Sequence, residues 1–391
     1  MLKPRAVLCL LALAASAARA QPEGDKLDLK YMYYWDRNGV WNHTPAISLW
    51  KSLSRTLSLR WNQEMDLVSG ASRRLGMRNI GREGDNQLVL DGISGASKRE
   101  VRHSEQAALH FAEEGRTATA SFYFSQETDY TSYAPAVAAS WDFHQRNTTL
   151  GAGLELFFDE LHPVGPFADL GGTRRLTSGT VSLTQVVTRT SLAALTANLI
   201  HSTGVLGHPY NPVILANGSL LLERLPAGKL SAALGAQWIQ GFHLAGRLGS
   251  LRLESRYYRD TWELASGTAD LQWYQYLAGQ TYVRLRARGY MQGAAAFYRE
   301  AYAGDEAYHT ADLRYAAFSS LTLGFKLGST FPDSWLDTPL LPDGWDISYD
   351  HGMRDTRGEE TRATPFYHYQ LFASDEYYLQ GTLMAGIRFD L

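Results

Sequence analysis

Thr382-Leu383-Met384-Ala385-Gly386-Ile387-Arg388-Phe389-Asp390-Leu391 ends the chain with two distinct faces. Leu383, Ala385, Ile387, Phe389 and Leu391 fall on one side of an extended backbone. Thr382, Met384, Gly386, Arg388 and Asp390 fall on the other. Side chains of a strand alternate between its faces, so this period of two predicts a half-apolar strand up to the last residue. The same alternation recurs upstream. Leu27, Leu29, Tyr31, Tyr33 and Trp35 share one face of the first such segment. Leu57-Leu59-Trp61, Ala118-Ala120-Phe122-Phe124, Leu150-Ala152-Leu154-Leu156-Phe158 and Leu321-Leu323-Phe325-Leu327 repeat it, each interleaved with polar or small residues.

Gly386-Ile387-Arg388-Phe389-Asp390-Leu391 resembles the terminal signal by which bacterial outer-membrane barrels are recognised for insertion, with Leu where the usual pattern ends in Phe. The other end agrees. Lys3 and Arg5, the apolar run 7–15 and Ala18-Arg19-Ala20 read as a secretory signal peptide over residues 1–20. Residues 21–391 then form the mature protein, a single transmembrane β-barrel of the bacterial outer membrane. After residue 20 no apolar stretch approaches the roughly 18 residues of a spanning helix, whereas barrel strands need only about ten alternating ones.

Composition narrows the function classes. The 391 residues are 45% hydrophobic and 20% charged, which is unlike a disordered chain. The net charge of −3 argues against nucleic-acid binding. The one cysteine, Cys9, lies inside the signal segment, so the mature chain has no disulfide, no thiolate metal site and no c-type haem attachment. Twenty-two Tyr and ten Trp are heavy for a soluble enzyme.

Connection lengths fix the topology. Short turns near 52–55, 113–116, 144–147, 187–191, 240–243, 278–280 and 318–320 alternate with connections near 37–43, 66–100, 127–131, 159–176, 202–228, 259–262, 292–308 and 331–376. Short turns at one end and long loops at the other are the periplasmic and extracellular ends of an outer-membrane barrel. The pattern predicts an all-β fold with about sixteen antiparallel strands, within a range of 14–18. Trp345–Met353 and Phe366–Phe372 read as a hairpin inside the last loop, and counting them in would make eighteen. Trp35, Trp61, Phe124 and Phe158 are placed at the loop end of the apolar face, and Phe111, Trp141, Phe143, Trp238, Trp273 and Phe389 at the turn end, as two aromatic girdles.

Charges on the lipid face would cost about 2–4 kcal/mol each at mid-membrane, so strand charges are assigned to the lumen. This predicts a pore lining of Arg252, Glu254, Arg256, Asp270, Arg284, Arg286, Arg288, Asp312, Arg314 and Lys326. Such a set fits either a solute-selective pore or a salt-bridged plug that stiffens the barrel. The eleven His are scattered without metal spacing, and Walker, Rossmann and zincin motifs are missing, so no catalytic constellation and no metal site are expected.

One repeat stands apart. Asp66-Leu-Val-Ser69-Gly70-Ala71-Ser72 recurs as Asp91-Gly-Ile-Ser94-Gly95-Ala96-Ser97 in the same long loop. D-x-x-S-G-A-S resembles the acceptor motif of the FAD:protein FMN transferase, which esterifies FMN phosphate onto the last hydroxyl of the motif. The resemblance implies covalent FMN on Ser72 and Ser97, with Asp66 and Asp91 at the acidic position and Gly70 and Gly95 at the close turn. An unobstructed hydroxyl suits a transferase that must bring its donor onto it. The alternation of connections puts this loop outside the cell, so modification in the periplasm would precede insertion or require the loop to fold into the lumen. The bland alternative is a duplicated Ser/Gly turn.

Asp129-Tyr-Thr-Ser-Tyr133, Arg146-Asn-Thr-Thr-Leu150, Gly207-His-Pro-Tyr210, Arg256-Tyr-Tyr-Arg-Asp260, Trp273-Tyr-Gln275 and the run from Tyr290 to Tyr298 together resemble a domain-of-unknown-function group of bacterial outer-membrane barrels of about this length. That resemblance implies outer-membrane lipid as the surroundings and, through the loop motif, a link to flavin-based electron transfer with an extracytosolic redox partner. Three readings stay open at this point: a flavinylated barrel in electron transfer, a porin without cofactor, and a structural barrel sheathing a separate carrier.

Overall fold

The computed structural model describes residues 24–36, 40–69, 100–209, 211–215, 219–299, 302–310, 312–331, 342–355 and 377–390. The signal segment, the piece 366–372, and Gly70, Ser72, Asp91, Gly95 and Ser97 lie outside them. The strands follow in chain order: β1 (Lys26–Asp36), β2 (Trp41–Ser52), β3 (Leu57–Val68), β4 (Glu100–Glu113), β5 (Arg116–Gln126) and β6 (Tyr130–Phe143). Next come β7 (Thr148–Leu161), β8 (Gly172–Thr188), β9 (Ser191–Gly204), β10 (Pro212–Ile214), β11 (Leu220–Leu222) and β12 (Gly228–Leu244). The set closes with β13 (Arg247–Asp260), β14 (Ala265–Ala278), β15 (Thr281–Gln292), β16 (Phe318–Thr330), β17 (Gly344–Asp355) and β18 (Tyr377–Asp390).

All but the short β10–β11 hairpin form one closed antiparallel barrel of sixteen strands. The seam joins the two ends of the chain. β1 pairs with β18 from Lys26 opposite Asp390 to Asp36 opposite Gln380, so closure leaves no edge strand unpaired. Each charged face is thereby turned inward and each apolar face outward. Along β13, Leu251, Leu253 and Tyr257 are exposed on the outside, while Arg252, Glu254, Arg256 and Tyr258 between them are half-buried on the inside. Leu383 and Ile387 of the terminal strand belong to the outer set. The outer surface as a whole is an apolar belt that includes Val137, Val181, Leu195, Leu199 and Leu234, each more than half exposed. So extended an apolar surface is unsuited to water and suited to lipid.

Tight turns join strands at the end that carries both termini. Ala245 (φ 52°) and Gly246 (φ 74°) both take the left-handed conformation, the two-residue hairpin geometry that matches strand twist. Sixteen strands were expected, yet two segments are placed differently from the expectation. Residues 309–317, read as a strand, belong to a loop, and β16 begins at Phe318. Trp345–Met353, read as part of a loop hairpin, lies in β17, a full wall strand paired to β16 and β18. The connection 331–343 is thus at the turn end although it is long, which is why the rule of short turns misassigned it. Trp61 is the fifth residue of β3 and sits in the turn half, because that strand runs on to Val68.

Candidate functional site

Inward side chains meet their counter-charges along a strand, across to the next one, or over Gly324 of β16 to the strand beyond it. Arg286 of β15 donates from Nε to Asp270 Oδ2 of β14 at 2.8 Å and from Nη1 to Asp350 Oδ2 of β17 at 3.1 Å. Arg284 reaches the other oxygen of Asp350 at 3.3 Å. Lys326 of β16 pairs with Asp346 of β17 at 2.6 Å. Arg252 and Glu254 pair along β13, and Gln237 donates to Glu254 at 2.9 Å. Asp346 and Asp350 escaped sequence reasoning because their strand was read as loop.

Two members of the basic set are left over. Arg256 of β13 and Arg288 of β15 face inward and half-buried, and neither makes an ion pair with a described residue. Arg256 lies 6.0 Å from the Tyr258 ring. The wall from β13 to β17 therefore carries cationic groups in excess of its carboxylates. Asp312 and Arg314 are not on this wall. They sit in the loop between β15 and β16, where Arg314 Nε donates to Asp312 Oδ2 at 2.7 Å in a short 3-10 turn.

That loop belongs to a cap. The described residues of 205–227, 261–264 and 293–317 meet at the end opposite the termini and bury Trp262, Leu264, Ala295, Tyr298 and Ala316 together, with Tyr258 of the wall packed against them. A second small core holds Val213, Leu215 and Tyr302. Inward side chains hold the cap over the mouth. Gln292 Nε2 donates to the carbonyls of Arg314 (2.8 Å) and Ala316 (2.6 Å), and Arg354 Nη2 to that of Leu313 (2.8 Å). Lys229 Nζ lies 4.7 Å over the Trp262 ring. Glu223 joins the two loops. It accepts from the His208 backbone N–H at 2.5 Å and from the Thr310 hydroxyl. Burial pushes the Glu223 carboxyl above its ordinary range, against the pull of those two donors.

Far around the ring, two deeper ionic knots lock the loop ends of the wall. Asp159 of β7 takes Arg174 Nε of β8 at 2.7 Å and the Ser132 hydroxyl of β6 at 2.7 Å, and Arg174 also donates to Tyr130 at 2.9 Å. Asp66 of β3 pairs with Arg102 of β4 at 2.6 Å and accepts from Asn42 (3.1 Å) and Thr44 (2.5 Å) of β2. Asp66, singled out as a motif residue, is thus a buried member of the wall.

A family model described as "Protein of unknown function (DUF3570)" matches residues 5–170 and 166–338. No curated protein matches the sequence. Among solved structures, the barrel is similar to a bacterial polysaccharide outer membrane secretin (TM-score 0.50, 7% identity, 95% of this chain and 100% of that one). It is also similar to CdiB from Acinetobacter baumannii (TM-score 0.50, 9% identity), covering 93% of this chain and 60% of that one. OpdK from Pseudomonas aeruginosa with vanillate matches at TM-score 0.41 and 11% identity, over 93% and 97% of the two chains. These similarities concern the fold, which is that of bacterial outer-membrane barrels. With its closed sixteen-stranded wall and a model match over most of its length, the chain belongs to the family described as Protein of unknown function (DUF3570).

Proposed function

We propose that the protein resides in a bacterial outer membrane and provides an aqueous path for small anions along the β13–β17 wall. The observation that carries this reading is the pair of inward arginines, Arg256 and Arg288, which make no ion pair with a described residue on a wall where Arg252, Arg284, Arg286 and Lys326 do. Barrels of 16–18 strands leave room for a water-filled channel. A ring segment with surplus positive charge lowers the barrier for anions and raises it for cations. The cap narrows the mouth above that wall and restricts the size of what enters. Planar-bilayer recordings in a KCl gradient test the proposal. The reversal potential should show chloride preference, and the R256Q/R288Q double variant should abolish it. Cation preference, or the same potential in wild type and variant, overturns it.

The doubled D-x-x-S-G-A-S motif supports a second reading, in which Ser97 or Ser72 carries FMN and the barrel serves extracytosolic electron transfer. Asp66 is engaged with Arg102, so the copy ending at Ser97 is the better candidate. Co-expression with the FAD:protein FMN transferase should give a fluorescent denatured band and a flavinylated peptide by mass spectrometry. A dark band with both serines unmodified removes this reading.

A further inference from the structure

Across the lumen from the basic wall, β5 to β8 present a different surface. The inward positions are small. Ala136 and Ala138 of β6 and Gly151 and Gly153 of β7 leave a recess, and a Cβ at Gly151 would come within 2.6 Å of Ser182 Oγ. Hydroxyls surround it: Thr119 and Ser121 from β5, and Ser178, Thr180 and Ser182 from β8. Asn198 Nδ2 donates to Ser178 (3.0 Å) and Thr180 (2.8 Å), which fixes both oxygens in place. The recess holds about 40 Å³. A single water needs about 10–15 Å³ by this measure, so a group of three or so heavy atoms fits.

One charged residue lines this recess. Glu155 of β7 stands between Ala136 and Ser178 in the register. Its side chain is turned inward and is only 8% exposed. It makes no hydrogen bond or ion pair with any described residue, and Oε2 is buried without a partner. Three other buried carboxylates of the lumen are paired: Asp159 has Arg174, Asp66 has Arg102 and Asp270 has Arg286. A buried carboxylate is costly unless a donor or cation compensates it. No basic residue lines the recess, and Arg288 is on β15, separated from β7 by β8, β9, β12, β13 and β14.

We infer that the recess is a binding site for a primary ammonium group, with Glu155 as counter-ion and the β5 and β8 hydroxyls as further acceptors. An ammonium head has three donors and no acceptor, which matches one carboxylate and a few hydroxyl oxygens set in an otherwise apolar recess. A short alkyl stem meets Ala136, Ala138 and Gly153. The solute class is a small aliphatic amine, or the amine end of a larger solute crossing the lumen.

Methylammonium chloride is the probe, and saturation-transfer NMR on the full-length barrel in detergent micelles is the assay. Wild type should give a saturable methyl signal. Glu155→Gln should weaken binding by about tenfold or more, as loss of a charge-assisted contact does. Ala136→Leu fills the recess and keeps the carboxylate, and should weaken binding as well. Heat-modifiable migration confirms that each variant is folded. R256Q/R288Q should leave the signal unchanged, so failure of the anion path does not touch this site. No signal in wild type, or an undiminished one in folded Glu155→Gln, overturns the inference.

Discussion

Asp159→Asn isolates one buried charge pair. Asp159 is 2% exposed and Arg174 8%. The substitution keeps shape and one acceptor but leaves the guanidinium without a counter-charge. Arg174 Nε and Nη2 both point at Oδ2, and Ser132 occupies Oδ1, so an amide in that place must present an N–H to at least one of these donors. Removing one partner of a buried pair costs about 3–5 kcal/mol. The isosteric change should fall near the lower end, roughly 3 kcal/mol, which is about a hundredfold in the unfolding equilibrium at about 1.4 kcal/mol per tenfold. Urea unfolding in lipid vesicles, followed by tryptophan fluorescence, reads it directly. The double variant Asp159→Leu/Arg174→Met should return to within about 1 kcal/mol of wild type, because a matched apolar pair replaces both charges. If Asp159→Asn is destabilised by less than about 0.5 kcal/mol, water from the lumen must already solvate the pair, and the argument from burial fails.

Other outcomes follow from the cap and the seam. The raised Glu223 carboxyl favours its protonated form in the docked cap. Its contribution is therefore complete below the ordinary carboxylate range and is lost as pH rises through the raised value. Hydrogen exchange of residues 205–227 should accelerate across that window, with Asp312 and Arg314 as the nearest other charges, and Glu223→Gln should flatten the profile. Gln292→Ala removes two of the three side-chain anchors of the 3-10 turn, leaving Arg354, and should cost about 1–3 kcal/mol locally, seen as faster proteolysis within 293–317 while the barrel band stays heat-modifiable. At the seam, a Cβ on Gly381 would lie 2.7 Å from Trp35 Cη2. Gly381→Val should destabilise closure by about 1–3 kcal/mol, measured as a lowered temperature of band conversion.

The barrel was legible because its rule is local. Every wall strand needs alternation, and Thr382–Leu391 or Leu251–Tyr257 state it in a few residues. The strand count was recovered while β17 was misplaced, because the turn before it is long and turn length was the only guide to which end of the barrel it lies on. The charges on the wall strands were legible as inward, since the lipid face forbids them, whereas Asp312 and Arg314 of the same expected set lie in a loop. Their pairing was not, because it depends on which strands become neighbours and in what register. Arg256 and Arg288 look no different in sequence from Arg284 and Arg286. Glu155 is distinguished only by the lack of a hydrogen-bond or ion-pair partner among the described residues, and one sequence carries no sign of that. Trp262, Ala295 and Tyr298 have no period, so a core assembled from three loops leaves no pattern to read.

The two main pieces of the cap, 205–227 and 293–317, are encoded on either side of four wall strands, β12 to β15. The first piece makes its own hairpin and packs Leu206 and Leu225 on the cluster that holds Trp262 and Leu264 after β13, but its partners Tyr302, His309 and Thr310 come only after all four strands. Contacts such as Thr310 with Glu223, 87 residues apart in sequence, and His309 with Arg224 thus wait on that stretch of wall. The joint between the loops therefore acts as a completion mark: the mouth narrows only when the stretch of wall that carries the arginines is already in place.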